Sequence, residues 1–370
     1  MARTVVTAPH LSRFHTPSVA KRLLVDELGS TVADRLTSAI WVTGIVATKR
    51  SFRGLRCANR IRGCNIAERC CANAARVSQK IKMRMIAFLF AILTVAPLFA
   101  AAPSVPPAIF TDPPADHAHP AAMTVIHVPS HGVQINGVLY SPAGPGPHPT
   151  LVICHGLPGN EKNLDLAQAI RRAGWNAVTF NYRGSWGSPG VFRFAQNVDD
   201  AASVLAYLRD PANAAALGVD ANHIAIAGHS MGGWVTAHTA ARDHSLMGAI
   251  MISTGDVGRL EEWGHEKLLA FMADDMESLA GVTPESMVDE IHVHAHEFAL
   301  KNAANGLIPM PLLVLTSDDG LAEHSDALVA AIKAAGGKNV TTSHVATDHS
   351  WSDHRIALES TIITWLSGLR

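Results

Sequence analysis

Residues 224–233 read Ile-Ala-Ile-Ala-Gly-His-Ser-Met-Gly-Gly, an apolar strand-like run that breaks into Gly228-His229-Ser230-Met231-Gly232-Gly233 and then into the helix-prone stretch 234–241. A strand that turns this sharply into a helix lifts the serine off the end of a sheet, where a base can reach its hydroxyl. Gly228 and Gly232 remove the side chains that would collide in the turn. The helix start aims the Met231 N–H at the point where an oxyanion would develop. Taken alone, such a run is as readily a tight helix start built from small residues. What lies on either side of it decides.

Upstream, the apolar stretch 151–154 runs into His155-Gly156-Leu157-Pro158-Gly159. A loop there can aim a second backbone donor, the Leu157 N–H, at the same oxyanion. His155 precedes the serine and reads as a loop-fixing residue rather than a base. Downstream, Leu315-Thr316-Ser317-Asp318-Asp319-Gly320 closes another apolar stretch and supplies an acid, which a catalytic histidine needs behind it to fix its tautomer. Asp318 is the expected acid, because Asp319, Gly320, Leu321 and Ala322 follow it in the usual run of two residues, an apolar one and a small one. Asp319 is the alternative. Asp348-His349-Ser350-Trp351 then offers His349 as the base for Ser230, histidine being the side chain suited to moving protons near neutral pH. His354, at the start of the last helical stretch, is the rival and reads more plainly as a capping or solvated residue.

Strand-like and helix-like segments alternate around these motifs. The β-rich stretches 124–128 and 134–140, separated by His131-Gly132, predict a hairpin. Further strands are expected at 151–154, 176–180, 223–227, 248–252, 311–315 and 340–344. Helices are expected at 164–173, 198–208, 234–241, 326–335 and 356–366. Strict alternation implies parallel pairing with helices on both faces, hence an α/β fold on a mostly parallel eight-stranded sheet. Between 256 and 308 the rhythm breaks into a polar, helix-prone insertion that reads as a small helical cap. His292, His294 and His296 alternate within it, but Met287, Val288, Ile291 and Phe298 fit a helix, where alternate residues do not share a face. No metal site is expected there, and Cys154 reads as a small core residue.

The chain from about 124 to 370 resembles the α/β-hydrolase superfamily, and more narrowly its serine hydrolases of the dienelactone-hydrolase-like, acylaminoacyl-peptidase-like and serine-aminopeptidase-like group. His155-Gly156 with Gly159, Asn181-Tyr182-Arg183-Gly184 with Ser188-Pro189-Gly190, the turn around Ser230, and Asp348-His349-Ser350 carry the resemblance. It implies an α/β-hydrolase fold with the chain order Ser230, Asp318, His349 for a triad. It also implies that the loop 180–190 packs beside the site, with Arg183 holding loops together. Trp186 reads as packing there, with pocket lining as the alternative. Dienelactone hydrolases proper use a cysteine where this chain has Ser230, so that narrower activity is not expected.

The expected reaction is hydrolysis of carboxylic esters through an acyl-enzyme. His349 takes the Ser230 proton, Asp318 steadies the imidazolium, and the N–H groups of Met231 and Leu157 hold the oxyanion. Aminopeptidase or acyl-peptide hydrolase activity with the same residues is the alternative, and a non-catalytic binding protein on the same fold is the reading from another class. The expected partner is a small acyl-ester or peptide substrate, with no cofactor and no metal.

A net charge of -1 over 370 residues hides an asymmetry: residues 1–82 carry 15 Lys and Arg against 4 Asp and Glu, leaving the remainder acidic. That acidic balance argues against nucleic acid as a partner of the main body. Four of the five cysteines, Cys57, Cys64, Cys70 and Cys71, fall in the basic leader, at spacings that match no zinc pattern. After Lys80, Lys82 and Arg84 comes the uncharged run 85–102, ending in Ala100-Ala101-Ala102, the three parts of a signal peptide. The run holds Pro97 and is too short for a stable membrane span. Residues 83–102 are therefore expected to direct export to the periplasm or beyond. On this reading Met83 or Met85 is the start, residues 1–82 are a non-native or disordered leader, and 103–122 is a Pro- and Ala-rich linker to a body at 123–370.

Overall fold

The hairpin forms where β-branched residues alternate with polar ones on both sides of a two-residue turn. Strands β1 (Ala122–Ser130) and β2 (Val133–Ser141) pair antiparallel, burying Ile126, Val128, Ile135 and Leu139 on one face. His131 and Gly132 between them both take positive φ, 46° and 90°, the geometry that lets a two-residue loop follow the twist of its strands. The computed structural model describes residues 105–369. The expected leader 1–82 and signal segment 83–102 lie outside them. From the expected linker, the carbonyl oxygens of Ala108 and Ile109 accept hydrogen bonds from the Arg172 guanidinium. No helix among the described residues is long and apolar enough to cross a membrane.

Six further strands complete one sheet: β3 (His148–Cys154), β4 (Asn176–Phe180), β5 (Val219–His229), β6 (Gly248–Ile252), β7 (Leu312–Ser317) and β8 (Val340–Val345). Their order across the sheet is β1-β2-β4-β3-β5-β6-β7-β8. Only β2 runs against its neighbours; β4 through β8 pair in parallel, as crossover helices require. Helices α1 (Leu164–Arg172), α2 (Phe194–Arg209), α3 (Pro211–Leu217) and α4 (Met231–Ala240) follow β3, β4 and β5. After the cap come α8 (Ala322–Ala334) and α9 (Arg355–Ser367), preceded within the cap by α5 (His265–Asp274), α6 (Pro284–Phe298) and the single turn α7 (Ala304–Leu307).

Successive residues of β5 face opposite ways, and each face has its own core. Ile224 and Ile226 pack with residues of α2, α4 and α8, whereas Ala225 and Ala227 pack with Leu166 and Ile170 of α1 and Leu358 and Ile362 of α9. Helix α3 was not among the expected elements, although its signals are visible. Asp210 caps it by accepting from the Ala212 and Asn213 N–H groups, Pro211 opens it, and Gly218 closes it at φ 63°.

The insertion between β6 and β7 is helical, as its composition predicts. Pro284 opens α6 behind a Thr283–Ser286 capping box. The His292, His294 and His296 positions lie on this helix, with His294 Nδ1 2.9 Å from Glu297. The buried Asp256 carboxylate closes the base of the cap: Oδ1 accepts from Gly258 N–H at 3.1 Å and from Leu300 N–H at 3.0 Å, 44 residues further on. Trp234 of α4 donates from Nε1 to the Phe298 carbonyl at 2.6 Å, seating the end of α6 on the sheet layer.

Candidate active site

Ser230 sits at the N-cap of α4 with φ 59° and ψ -123°. A non-glycine residue there costs of order 1–3 kcal/mol and persists only where its surroundings over-determine it. Its N–H donates to the Ile252 carbonyl at 3.0 Å, and its own carbonyl accepts from Gly233 N–H at 3.0 Å. A Cβ on Gly228 would stand 1.9 Å from the Gly232 carbonyl oxygen, and one on Gly232 would stand 2.1 Å from that of Cys154. Only glycine at both positions lets the helix start come this close to the ends of β5 and β3.

The loop after β3 passes directly over the serine. A Cβ on Gly156 would lie 3.0 Å from Ser230 Cβ and 3.5 Å from its Oγ. Leu157 is the next residue, and Met231 is the first residue of α4, so the two expected donors stand on the two segments that flank Ser230. The Met231 N–H belongs to the first turn, where helix amides lack intrahelical partners. His155 is buried, its Nδ1 2.8 Å from the Gly156 carbonyl and its ring 4.6 Å from that of Tyr182. Burial pushes its pKa down to about 4, so it stays neutral as a loop-fixing group does.

His349 lies on the loop between β8 and α9, tied from three directions. His229 Nε2 donates to its carbonyl at 2.7 Å, Arg355 donates to the Ser350 carbonyl at 3.1 Å, and Trp351 Nε1 donates to Ser253 Oγ at 3.0 Å. Its ring lies 4.6 Å from that of His229, the neighbour of Ser230 in sequence. Among the described residues no hydrogen bond yet joins Ser230 Oγ to His349. Such bonds tighten when substrate enters.

The acid beside His349 is Asp319 and not the expected Asp318. Asp319 Oδ2 accepts from His349 Nδ1 at 2.7 Å, and its Oδ1 accepts from Leu321 N–H at 2.9 Å. Its side chain is 3% exposed. Asp318 points the other way, to His344 Nε2 at 3.0 Å, with 63% of its side chain exposed. One residue of register past the end of β7 separates the two orientations, and two adjacent aspartates carry no sequence signal that sets it. Burial works against ionised Asp319, but hydrogen bonds from His349, Leu321 and Ser317 outweigh it and hold the pKa down at about 2. His354 pairs with Asp353 at 2.8 Å at the start of α9, away from Asp319.

Arg183 binds the fully buried Asp200 through Nε at 2.6 Å and through its N–H at 2.9 Å, locking the loop after β4 onto α2. Two residues beside the site escape sequence reasoning: His229 and Ser278. The first lies inside the serine motif and is distinguished only by the carbonyl it meets. The second is one polar residue in a polar insertion, and nothing in its spacing marks it.

The family model for the alpha/beta hydrolase fold matches residues 149–352, a span that begins in β3 and ends past His349. The chain belongs to the alpha/beta hydrolase fold family, and hydrolase chemistry is the class of activity this membership supports. Among solved structures it is similar to an acylaminoacyl peptidase of Pyrococcus horikoshii, with TM-score 0.52 and 18% identity over 67% of this chain, spanning 41% of the peptidase. It is also similar to a hyperthermophilic esterase of the archaeon Pyrobaculum calidifontis, with TM-score 0.50 and 19% identity over 68% of this chain and 87% of the esterase. A thermostable carboxylesterase cloned from a metagenomic library gives TM-score 0.50 and 22% identity over 71% of this chain and 92% of its own. At these identities the likeness is one of fold. Among curated proteins no sequence matches significantly.

Proposed function

We propose that the chain is a serine hydrolase that cleaves carboxylic esters through an acyl-enzyme. The observation that carries the reading is Ser230 held at φ 59° between a strand and a helix, with the Gly156 loop lying over it and a His349–Asp319 pair on the neighbouring loops. In the proposed cycle His349 Nε2 removes the Ser230 proton as Oγ attacks the ester carbonyl. Ionised Asp319 holds the other nitrogen as donor and stabilises the imidazolium. The N–H groups of Met231 and Leu157 receive the oxyanion, the alcohol leaves with the proton from His349, and water activated by His349 releases the acid. An ester suits this machinery because its leaving group needs less help than an amine, and the similar esterases make it the favoured substrate class.

The test compares initial rates of the full chain on a short acyl ester and on an aminoacyl anilide, beside Ser230→Ala. Ester turnover that the variant lacks supports the reading; cleavage of the anilide alone replaces it with a peptidase. No labelling of Ser230 by a serine-reactive phosphonate would instead make the chain a non-catalytic binding protein. We also propose export, supported by the basic residues before the uncharged run 85–102 and the alanines that end it. Amino-terminal sequencing of the mature protein tests this.

A further inference from the structure

The loop that carries Leu157 is fixed at its start by His155, with Nδ1 2.8 Å from the Gly156 carbonyl, but beyond Gly156 it has little of its own to hold it. Gly156 and Gly159 lack side chains, and Gly159 stands at φ 98°. The fixed point is the carbonyl of Pro158, which accepts two hydrogen bonds from side chains remote in sequence. Trp186 Nε1–H donates to it at 2.6 Å, and Ser278 Oγ–H donates to it at 3.3 Å. Trp186 belongs to the loop after β4; Ser278 belongs to the cap.

Each donor is itself located by others. The Lys162 ammonium lies 4.2 Å from the centre of the Trp186 ring and 3.0 Å from Asn181 Oδ1, while Asn181 Nδ2 donates to the Trp186 carbonyl at 3.2 Å. A Cβ on Gly159 would lie 2.9 Å from Trp186 Nε1, so no side chain fits between indole and loop. The cap joins the same loop through its main chain. Trp186 N–H donates to the Ser278 carbonyl at 2.9 Å, Ala280 N–H to that of Gly184 at 2.7 Å, and Phe192 N–H to that of Ala280 at 3.0 Å.

We propose that Trp186 and Ser278 are positioning residues that couple the seating of the cap to the oxyanion donor of Leu157, with the Pro158 carbonyl as the point of transmission. The proposal rests on the ester-hydrolase reading above. A cap that stays seated keeps both hydrogen bonds on Pro158 and holds the neighbouring Leu157 N–H at the site of the developing charge. An acyl group that lifts the cap withdraws Ser278, disturbs Trp186 through the main-chain seam, and loosens the donor. Acyl specificity is then expressed in the rate of the chemical step more than in binding, the signature of induced fit.

The experiment uses the full chain with Trp186→Phe, which keeps a ring and removes its N–H, Ser278→Ala, and the double variant. On a short acyl ester, kcat of Trp186→Phe is expected to fall about 10- to 100-fold with KM within roughly twofold. Ser278→Ala is expected to cost about threefold, and the double variant less than the product of the two, because both bonds end on one oxygen. Trp186→His, which again offers a ring N–H, recovers part of the loss. Amide hydrogen exchange across residues 155–160, read by mass spectrometry, is expected to speed up in Trp186→Phe and Ser278→Ala. Exchange unchanged in both variants overturns the proposal whatever the rates, as does a Trp186→Phe loss that appears in KM alone. Faster exchange in a protein that turns over no ester would leave the coupling standing and defeat the esterase reading instead.

Discussion

His229 Nε2 donates a 2.7 Å hydrogen bond to the main-chain carbonyl of His349, so the residue before the serine holds the loop of the proposed base. The two rings also touch, tilted 44° to each other with centroids 4.6 Å apart. Burial, reinforced by the neighbouring His349, pushes the His229 pKa down to about 4, so the donor stays neutral around neutral pH. His229→Phe retains the ring contact and leaves the carbonyl without its partner. Its kcat is expected to fall about tenfold, and urea unfolding should show a loss of about 1–2 kcal/mol. His229→Gln, which restores an N–H donor, should recover part of both.

Asp319→Asn and Asp318→Asn differ by one position and should differ widely in effect. The first leaves His349 Nδ1 facing an amide in place of a carboxylate, and kcat for ester hydrolysis should drop on the order of 10³- to 10⁴-fold. The second removes an exposed partner of His344 and should change kcat by less than about threefold. Because Asp319 is held at about 2, its titration adds nothing to any loss of activity between pH 8 and pH 4. Parallel pH–rate profiles of wild type and Asp318→Asn check both statements.

Gly232→Ala asks the turn to accept a methyl 2.1 Å from the Cys154 carbonyl oxygen, a backbone atom with no room to retreat. Overpacking of this kind is expected to cost about 2–4 kcal/mol in chemical denaturation. Phosphonate labelling of whatever fraction remains folded should be slower as well, because the same shift displaces Met231.

Glu359 of α9 is 6% exposed, and burial together with the Asp165 carboxylate raises its pKa to about 7. Its folded value lies above its unfolded one, so the fold favours the protonated acid. The penalty of the buried charge is full above about pH 7 and vanishes as pH falls towards 4.5. Glu359→Gln should therefore stabilise the protein by about 1–2 kcal/mol at pH 8 and leave it unchanged at pH 4, read from urea midpoints at the two values.

Much of this fold is visible in the chain because its signals are local. Alternation of strand and helix predicts the parallel sheet, and His131-Gly132 predicts the turn of the hairpin; Gly228 and Gly232 locate the serine turn because only glycine survives the contacts there. What escapes are relationships made across the sheet. Asp318 and Asp319 are chemically identical neighbours, and the residue that turns inward is set by how β7 ends against the loop of His349. The contacts of Trp186 and Ser278 with one carbonyl join segments 28 and 120 residues away from it, and neither residue has a composition or spacing that marks it.

The seam between cap and loop is built largely from N–H and C=O groups of residues 184–192 and 278–280. Every amino acid except proline brings the same pair of groups, so the main-chain fastening asks little of the Ala280 side chain, whereas Gly184, at φ 66° and with a Cβ that would stand 2.2 Å from Phe192 N, admits none. The exposed surface of the cap can thus be rewritten, by drift or by design, while its line of attachment to the loop after β4 stays where it is. For anyone grafting a different insertion onto this sheet, the boundary conditions are few: an Asp256-like clasp at the base, a main-chain segment shaped like Ser278–Ala280 opposite Gly184–Trp186, and a hydroxyl within reach of Pro158.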